Sequence, residues 1–192
     1  MEKERVIERL NFLMGKKDAL ALAQYFACVD DGLATLFDLC EGPNARVSFR
    51  AAWVLEHILL QNPHLHALCL SRITAMMPAI TRSSSRRHFS KLLKVAFNEC
   101  ARKRFPRDGC RLLERTDMEP IVECCFEWLM DNGTKPAVKV HCMDILTALS
   151  ARYGWIADEL PHVVEMQLLD ASPGLRNKAL HVLETLRRNS FV

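Results

Sequence analysis

The stretch Val47–Ile58, VSFRAAWVLEHI, constrains the fold more than any other part of the chain. From Val47, offsets of four, seven, eight and eleven residues give Ala51, Val54, Leu55 and Ile58. The same offsets from Ser85 give Phe89, Leu92, Leu93 and Ala96; from Val138 they give Cys142, Ile145, Leu146 and Leu149; from Leu175 they give Ala179, Val182, Leu183 and Leu186. These spacings return to one side of a 3.6-residue helix, so each copy presents one broad apolar face. The residue after the start is basic in three copies, Arg86, Lys139 and Arg176, and Pro136 and Pro173 stand two residues before the last two starts. Proline opens a helix there without losing a needed N–H. The starts lie 38, 53 and 37 residues apart, so one interval carries extra residues, at 104–116.

A period near 40 with paired helices is the mark of a helical repeat array. Leu160–Leu186 carries the fullest unit: Pro161 in a first helix, Asp170 at the turn, then Leu175-Arg176 and the small Ala179 in a second helix. This unit resembles a HEAT repeat, and the copy with Asp131 and Val138-Lys139 is similar but looser, whereas Ser85 and Phe89 depart from the pattern. The resemblance to the HEAT/armadillo family implies an all-α, right-handed α-α superhelix of about five helix pairs, roughly 2–28, 31–61, 64–104, 117–151 and 155–189. The family pattern also implies that Arg176 and Asp170 tie adjacent repeats.

The chain of 192 residues is long enough to bury a core as one domain, 1–192. Helix formers dominate, and Gly and alternating strand-like segments are few. The first helix is expected to turn Val6, Ile7, Leu10 and Leu13 inward, and helix 64–77 to bury Leu65, Leu68, Ile73 and Met76. MEKERVIERL lacks the apolar run of a signal peptide, and Ala19–Val29 is too short to span a bilayer. A cytoplasmic protein without membrane contact is expected. The eight cysteines include no Cys-x-x-Cys and fall mainly on apolar helix faces, as free core thiols in a reducing compartment would.

Charge is distributed unevenly. Between Arg82 and Arg115 eleven basic residues face only Glu99, Asp108 and Glu114, so this segment carries +8 while the chain as a whole carries +3. Arg87, Lys91 and Lys94 follow helical offsets of four and seven, which predicts one exposed stripe. In HEAT arrays the second helices line the concave surface, so Arg86, Arg87, Lys91, Lys94, Arg102, Lys103, Arg104 and Arg107 become candidates for holding an anionic partner. An acidic protein or peptide fits such a surface, as does a nucleic-acid backbone. A solvated face, whose charges pair with acids on neighbouring helices, is the competing expectation.

Catalytic signatures are missing: there is no phosphate-binding glycine loop, His-Glu-x-x-His or Gly-x-Ser-x-Gly. His64, His66 and Cys69 would point to two faces of a helix, so no metal site and no cofactor is expected. HEAT-like DNA glycosylases join a basic surface to aromatics and an acid. Trp53, Trp128 and Trp155 read instead as packing residues, and a non-catalytic scaffold or adaptor is the leading expectation, with nucleic-acid binding the alternative.

Overall fold

The computed structural model describes residues 3–12, 15–169 and 171–189. Eleven α-helices occur among them: α1 (Lys3–Asn11), α2 (Lys16–Ala27), α3 (Gly32–Glu41), α4 (Ala45–Gln61), α5 (Pro63–Met76), α6 (Ser83–Ala101), α7 (Arg107–Arg115), α8 (Glu119–Met130), α9 (Pro136–Leu149), α10 (Trp155–Met166) and α11 (Pro173–Asn189). Asn44 starts α4 by accepting from the backbone N–H groups of Arg46 and Val47 at 3.1 and 3.2 Å. Pro63, Pro136 and Pro173 occupy the first residues of their helices. After α5, Pro78 diverts the chain into a turn of 3-10 helix over Met77–Ala79.

The architecture is a two-layer helical solenoid. Within units, α3 packs on α4, α5 on α6, α8 on α9 and α10 on α11. Between units, the second helices form a continuous row, α2 on α4, α4 on α6, α6 on α9 and α9 on α11. The four copies of the apolar pattern are α4, α6, α9 and α11, and all of their pattern positions are buried, Ser85 and Phe89 included. A helix repeating that face on a neighbour to either side removes it from water once per unit, which builds a core extending along the row.

One inward face differs from expectation. Leu68 is 77% exposed; α5 buries Ile73 and Met76 as expected, together with His66 and Leu70. α2, which packs on α4, buries Ala19, Ala23 and Phe26, while Tyr25 faces outward under the Arg9 guanidinium, 4.3 Å from its ring centre. Val6 and Leu10 are buried as the first helix requires; Leu13 lies outside the described residues, as does Asp170.

Basic side chains stitch the units together. Arg50 donates to the carbonyls of Leu10 and Asn11, both at 2.8 Å, and Arg82 to those of Gly42 and Pro43 at 2.7 and 2.8 Å. Arg152 does the same for Leu113 and Thr116. Each reaches the end of a helix belonging to an earlier part of the chain, where unpaired carbonyls favour a cation.

The extra residues form α7, which packs against α5 and α6. Cys100 at the end of α6 is disulfide-bonded to Cys110 in α7, with Cα atoms 5.6 Å apart. The expectation that all cysteines are free is therefore corrected: six are free, and this pair fastens the inserted helix to the array. No sequence spacing rule covers a pair ten residues apart across a helix break. Gly109 fits beneath this junction because a Cβ there would stand 2.7 Å from the Phe105 ring and 2.8 Å from Ala67 Cβ.

Candidate functional site

A ladder of buried and partly buried polar groups runs along the seams of the second-helix row. Glu56 of α4 is 5% exposed, with His88 Nδ1 2.7 Å from Oε2 and Lys91 Nζ 2.6 Å from Oε1. Burial by itself would raise the Glu56 carboxyl, but hydrogen bonds from His88 and Lys91 outweigh it and bring the pKa down to about 2. An ionised carboxylate only accepts, so Nδ1 of His88 carries the proton that it donates. One step along the row, Lys94 of α6 lies 3.6 Å from Asp144 of α9, which also accepts from Lys178 of α11 at 2.8 Å. Ser90 Oγ and His141 Nδ1 are 3.0 Å apart in the same seam. Burial holds the His141 imidazole down at about 4.

These pairs repeat with the units. Glu56 and Lys94 stand nine residues after their pattern starts, and each meets a residue six after the next start, Lys91 and Asp144. Stacked helices offset by about a turn bring those two positions together.

The eight candidate cations therefore separate into three groups. Arg86, Lys91 and Lys94 are engaged inside the scaffold. Arg86 reaches Asp131 and Thr134 at 3.4 Å, donates to the Ile80 carbonyl and lies over the Trp128 ring at 4.9 Å. Asp131 in turn accepts from Gly133 N–H and Thr134 Oγ1. A second-helix arginine and a turn aspartate of the following unit do pair as Arg86 and Asp131; Arg176 donates to the Leu168 carbonyl at 3.2 Å, and its expected partner Asp170 lies outside the described residues. Arg87 stands alone in the second group, exposed at a cavity of about 350 Å³ that it shares with Lys16, Phe49, Trp53, His57 and Lys91.

Arg102, Lys103, Arg104 and Arg107 form the third group, all exposed at the corner where α6 gives way to α7. Arg111 and Arg115, also exposed, extend it along α7. The corner's backbone is tightly determined. Arg104 N–H bonds the Glu99 carbonyl at 2.8 Å and Lys103 N–H the Cys100 carbonyl at 2.9 Å, a Schellman ending with Lys103 in the left-handed region at φ 58°. Lys103, Arg107 and Arg111 open onto a cavity of about 390 Å³. Acids temper the patch weakly: Arg102–Glu99 and Arg111–Asp108 are i,i+3 pairs in which both arginines and Asp108 are largely exposed.

Phe49, Trp53 and His57 escape a reading based on the apolar core. They recur every four residues on the opposite side of VSFRAAWVLEHI, with Phe49 and Trp53 rings stacked at 6.1 Å and 25°. Trp128 is buried and Trp155 stacks on Phe126 at 5.6 Å. Ser90, His88, Glu56 and His141 have the composition of a hydrolytic site, but Ser90 is wholly buried with its hydroxyl spent on His141 and the Arg87 carbonyl. Among the described residues no group of three His, Cys, Asp or Glu side chains is placed to hold a metal ion, and no helix is long and apolar enough to cross a membrane.

No family model and no curated protein matches the chain. Solved structures that resemble it are an engineered protein, at 15% identity and TM-score 0.43 over 98% of both chains, and a designed armadillo repeat protein, at 13% identity and TM-score 0.39 over 96% of this chain and 100% of that one. The chain is similar to armadillo-like helical repeats in being an all-α array of stacked helix pairs.

Proposed function

We propose that this helical repeat scaffold is a non-catalytic docking protein that takes an acidic segment of a protein partner at the α6–α7 corner. The observation carrying this reading is the division of the cations. Lys91 and Lys94 already neutralise Glu56 and Asp144, whereas Arg102, Lys103, Arg104, Arg107, Arg111 and Arg115 remain exposed around one disulfide-fastened turn. Cations paired with buried acids attract a second anion poorly, since the local field is already cancelled. Exposed cations held on a defined backbone keep their field and need no rearrangement to use it. The anion-binding surface is accordingly the corner at the C-terminal end of α6, in place of a stripe along that helix; Arg87, near the other end of α6, stands apart from it.

A protein partner is preferred over nucleic acid because the corner offers little on which bases could stack. Its nearby ring, Phe105, is 8% exposed. Fluorescence anisotropy with a glutamate-rich peptide, duplex DNA and single-stranded DNA tests this at about 0.15 M salt. The peptide is expected to bind best, and Lys103→Glu, Arg107→Glu and Arg111→Glu together are expected to weaken it at least about tenfold. Lys94→Glu is not expected to act through lost peptide contacts. Tighter binding of either DNA at that salt, lost in the same triple variant, would replace the docking reading with nucleic-acid recognition.

A further inference from the structure

The Cys100–Cys110 bond does more than cross the α6–α7 corner. It is accessible from two sides. Both cysteines line the cavity that holds Lys103, Arg107 and Arg111, and both also line a second cavity of about 370 Å³ bounded by Phe97, Leu113, Leu149 and Arg152. The first cavity is cationic but contains one acid, Glu114, and its volume of about 390 Å³ suits a small peptide-sized molecule. Most disulfides that serve only as staples are screened from solvent thiols. Here neither sulfur-bearing residue is fully buried.

From this juxtaposition we infer that the Cys100–Cys110 disulfide is a thiol–disulfide exchange site for an anionic peptide thiol of the glutathione class. Lys103, Arg107 and Arg111 would receive its two carboxylates, and Glu114 its ammonium group. Cations act twice in such a reaction. They concentrate the anionic thiol at the bond, and they stabilise the thiolate that departs.

The exchange balances without a further reagent. A glutathione thiolate attacks one sulfur of the pair; a new S–S bond forms as the Cys100–Cys110 bond breaks, and its electron pair leaves on the other cysteine as a thiolate. A second glutathione thiolate then attacks the glutathione sulfur of the mixed disulfide, releasing oxidised glutathione and the second cysteine thiolate. Two glutathiones are oxidised by two electrons in all, the cysteine pair is reduced by two, and each cysteine thiolate can take a proton from water. Oxidised glutathione drives the same steps in reverse.

Opening the bond frees α7 from its covalent tie at Cys110, while its packing on α5 and the Arg152 hydrogen bonds to Leu113 and Thr116 remain. The exchange site thus borders the basic corner directly.

The 192-residue protein prepared without reductant supplies the test. Thiol titration of the denatured protein should count six free thiols; eight would overturn the inference. Reduction is then followed with glutathione and with its diethyl ester, whose carboxylates are blocked. Free glutathione is expected to react about tenfold faster at low salt, and the advantage should fade at about 1 M salt. In the variant Lys103→Gln, Arg107→Gln, Arg111→Gln the two rates should converge. A loosened corner would raise both rates together and leave their ratio intact, so the ratio isolates charge. Equal rates in the unmodified protein, or a ratio unchanged by the triple substitution, would refute the site. Exchange kinetics read the cavity alone, whether or not an acidic partner docks at the corner.

Discussion

Lys103 occupies a backbone conformation that most residues with a Cβ avoid. Its φ of 58° completes the Schellman ending of α6, a position where glycine is the common choice. A lysine there costs about 1 kcal/mol relative to glycine through the crowding of Cβ against its own carbonyl. Lys103→Gly should therefore raise stability by about 0.5–1 kcal/mol, read from the urea midpoint, while weakening acidic-peptide binding. A fall in stability would show that the side chain contributes packing that outweighs its strain. A strained cation beside Arg102, Arg104 and Arg107 accords with the docking role proposed for the corner. Arg50 and Arg82 illustrate the opposite case. They stand in or near the same repeat pattern as the candidate cations, yet their guanidinium groups are committed to helix-end carbonyls.

Between elements, the seam joining α4 to α6 depends on Glu56. Its two oxygens satisfy His88 and Lys91, and His88 is itself 2% exposed. Glu56→Gln removes the negative charge and turns one of the two acceptor oxygens into an NH2 donor that faces either the buried imidazole or the half-buried ammonium, and should destabilise the protein by about 3 kcal/mol in chemical denaturation. Adding Lys91→Met should recover part of that loss, because the two residues form one network. A cost below about 0.5 kcal/mol would mean that water replaces the carboxylate at the seam. The helices themselves were legible from spacing alone: every position that offsets of four, seven, eight and eleven pick out in α4, α6, α9 and α11 is buried, though Ala52, Leu59 and Met143 join the core outside the pattern. The partners across the seam were not. Which acid meets Lys91 depends on how far one helix slides along the next, and an amphipathic pattern records the angle around a helix but not that slide. The disulfide was hidden for a related reason, since α6 must end at Ala101 and the chain fold back through Phe105 before Cys110 can meet Cys100. Leu68 misled because α5 has α7 on one side, and His66 takes the inward place against Phe105, with ring centres 5.1 Å apart.

At the scale of the whole molecule, buried imidazoles make stability sensitive to mild acid. Burial holds His66 and His141 at about 4 in the folded protein, against an ordinary value of 6.5. Below 6.5 the unfolded chain takes up protons that the folded chain refuses, so stability falls as pH drops from 6.5 toward 4. The pair should contribute a loss of about 2 kcal/mol or more, measured as the urea midpoint at neutral pH and near pH 4.5. Glu56 acts at lower pH and in the same sense: the stability it confers is present above 4.5 and is lost as pH falls toward about 2. An unchanged midpoint between neutral pH and 4.5 would show that both rings are hydrated when folded.

The arginine stitches also bear on how such a chain matures during synthesis. Arg50 binds carbonyls 39 and 40 positions earlier, and Arg82 binds carbonyls at the same separations. A nascent chain cannot close either stitch until the following unit has left the ribosome. Each helix end then stays open to solvent for the time needed to translate about 40 more residues, a few seconds at typical elongation rates. Completion would travel along this part of the array one unit behind the growing end, with each of the first two units locked by an arginine from its successor.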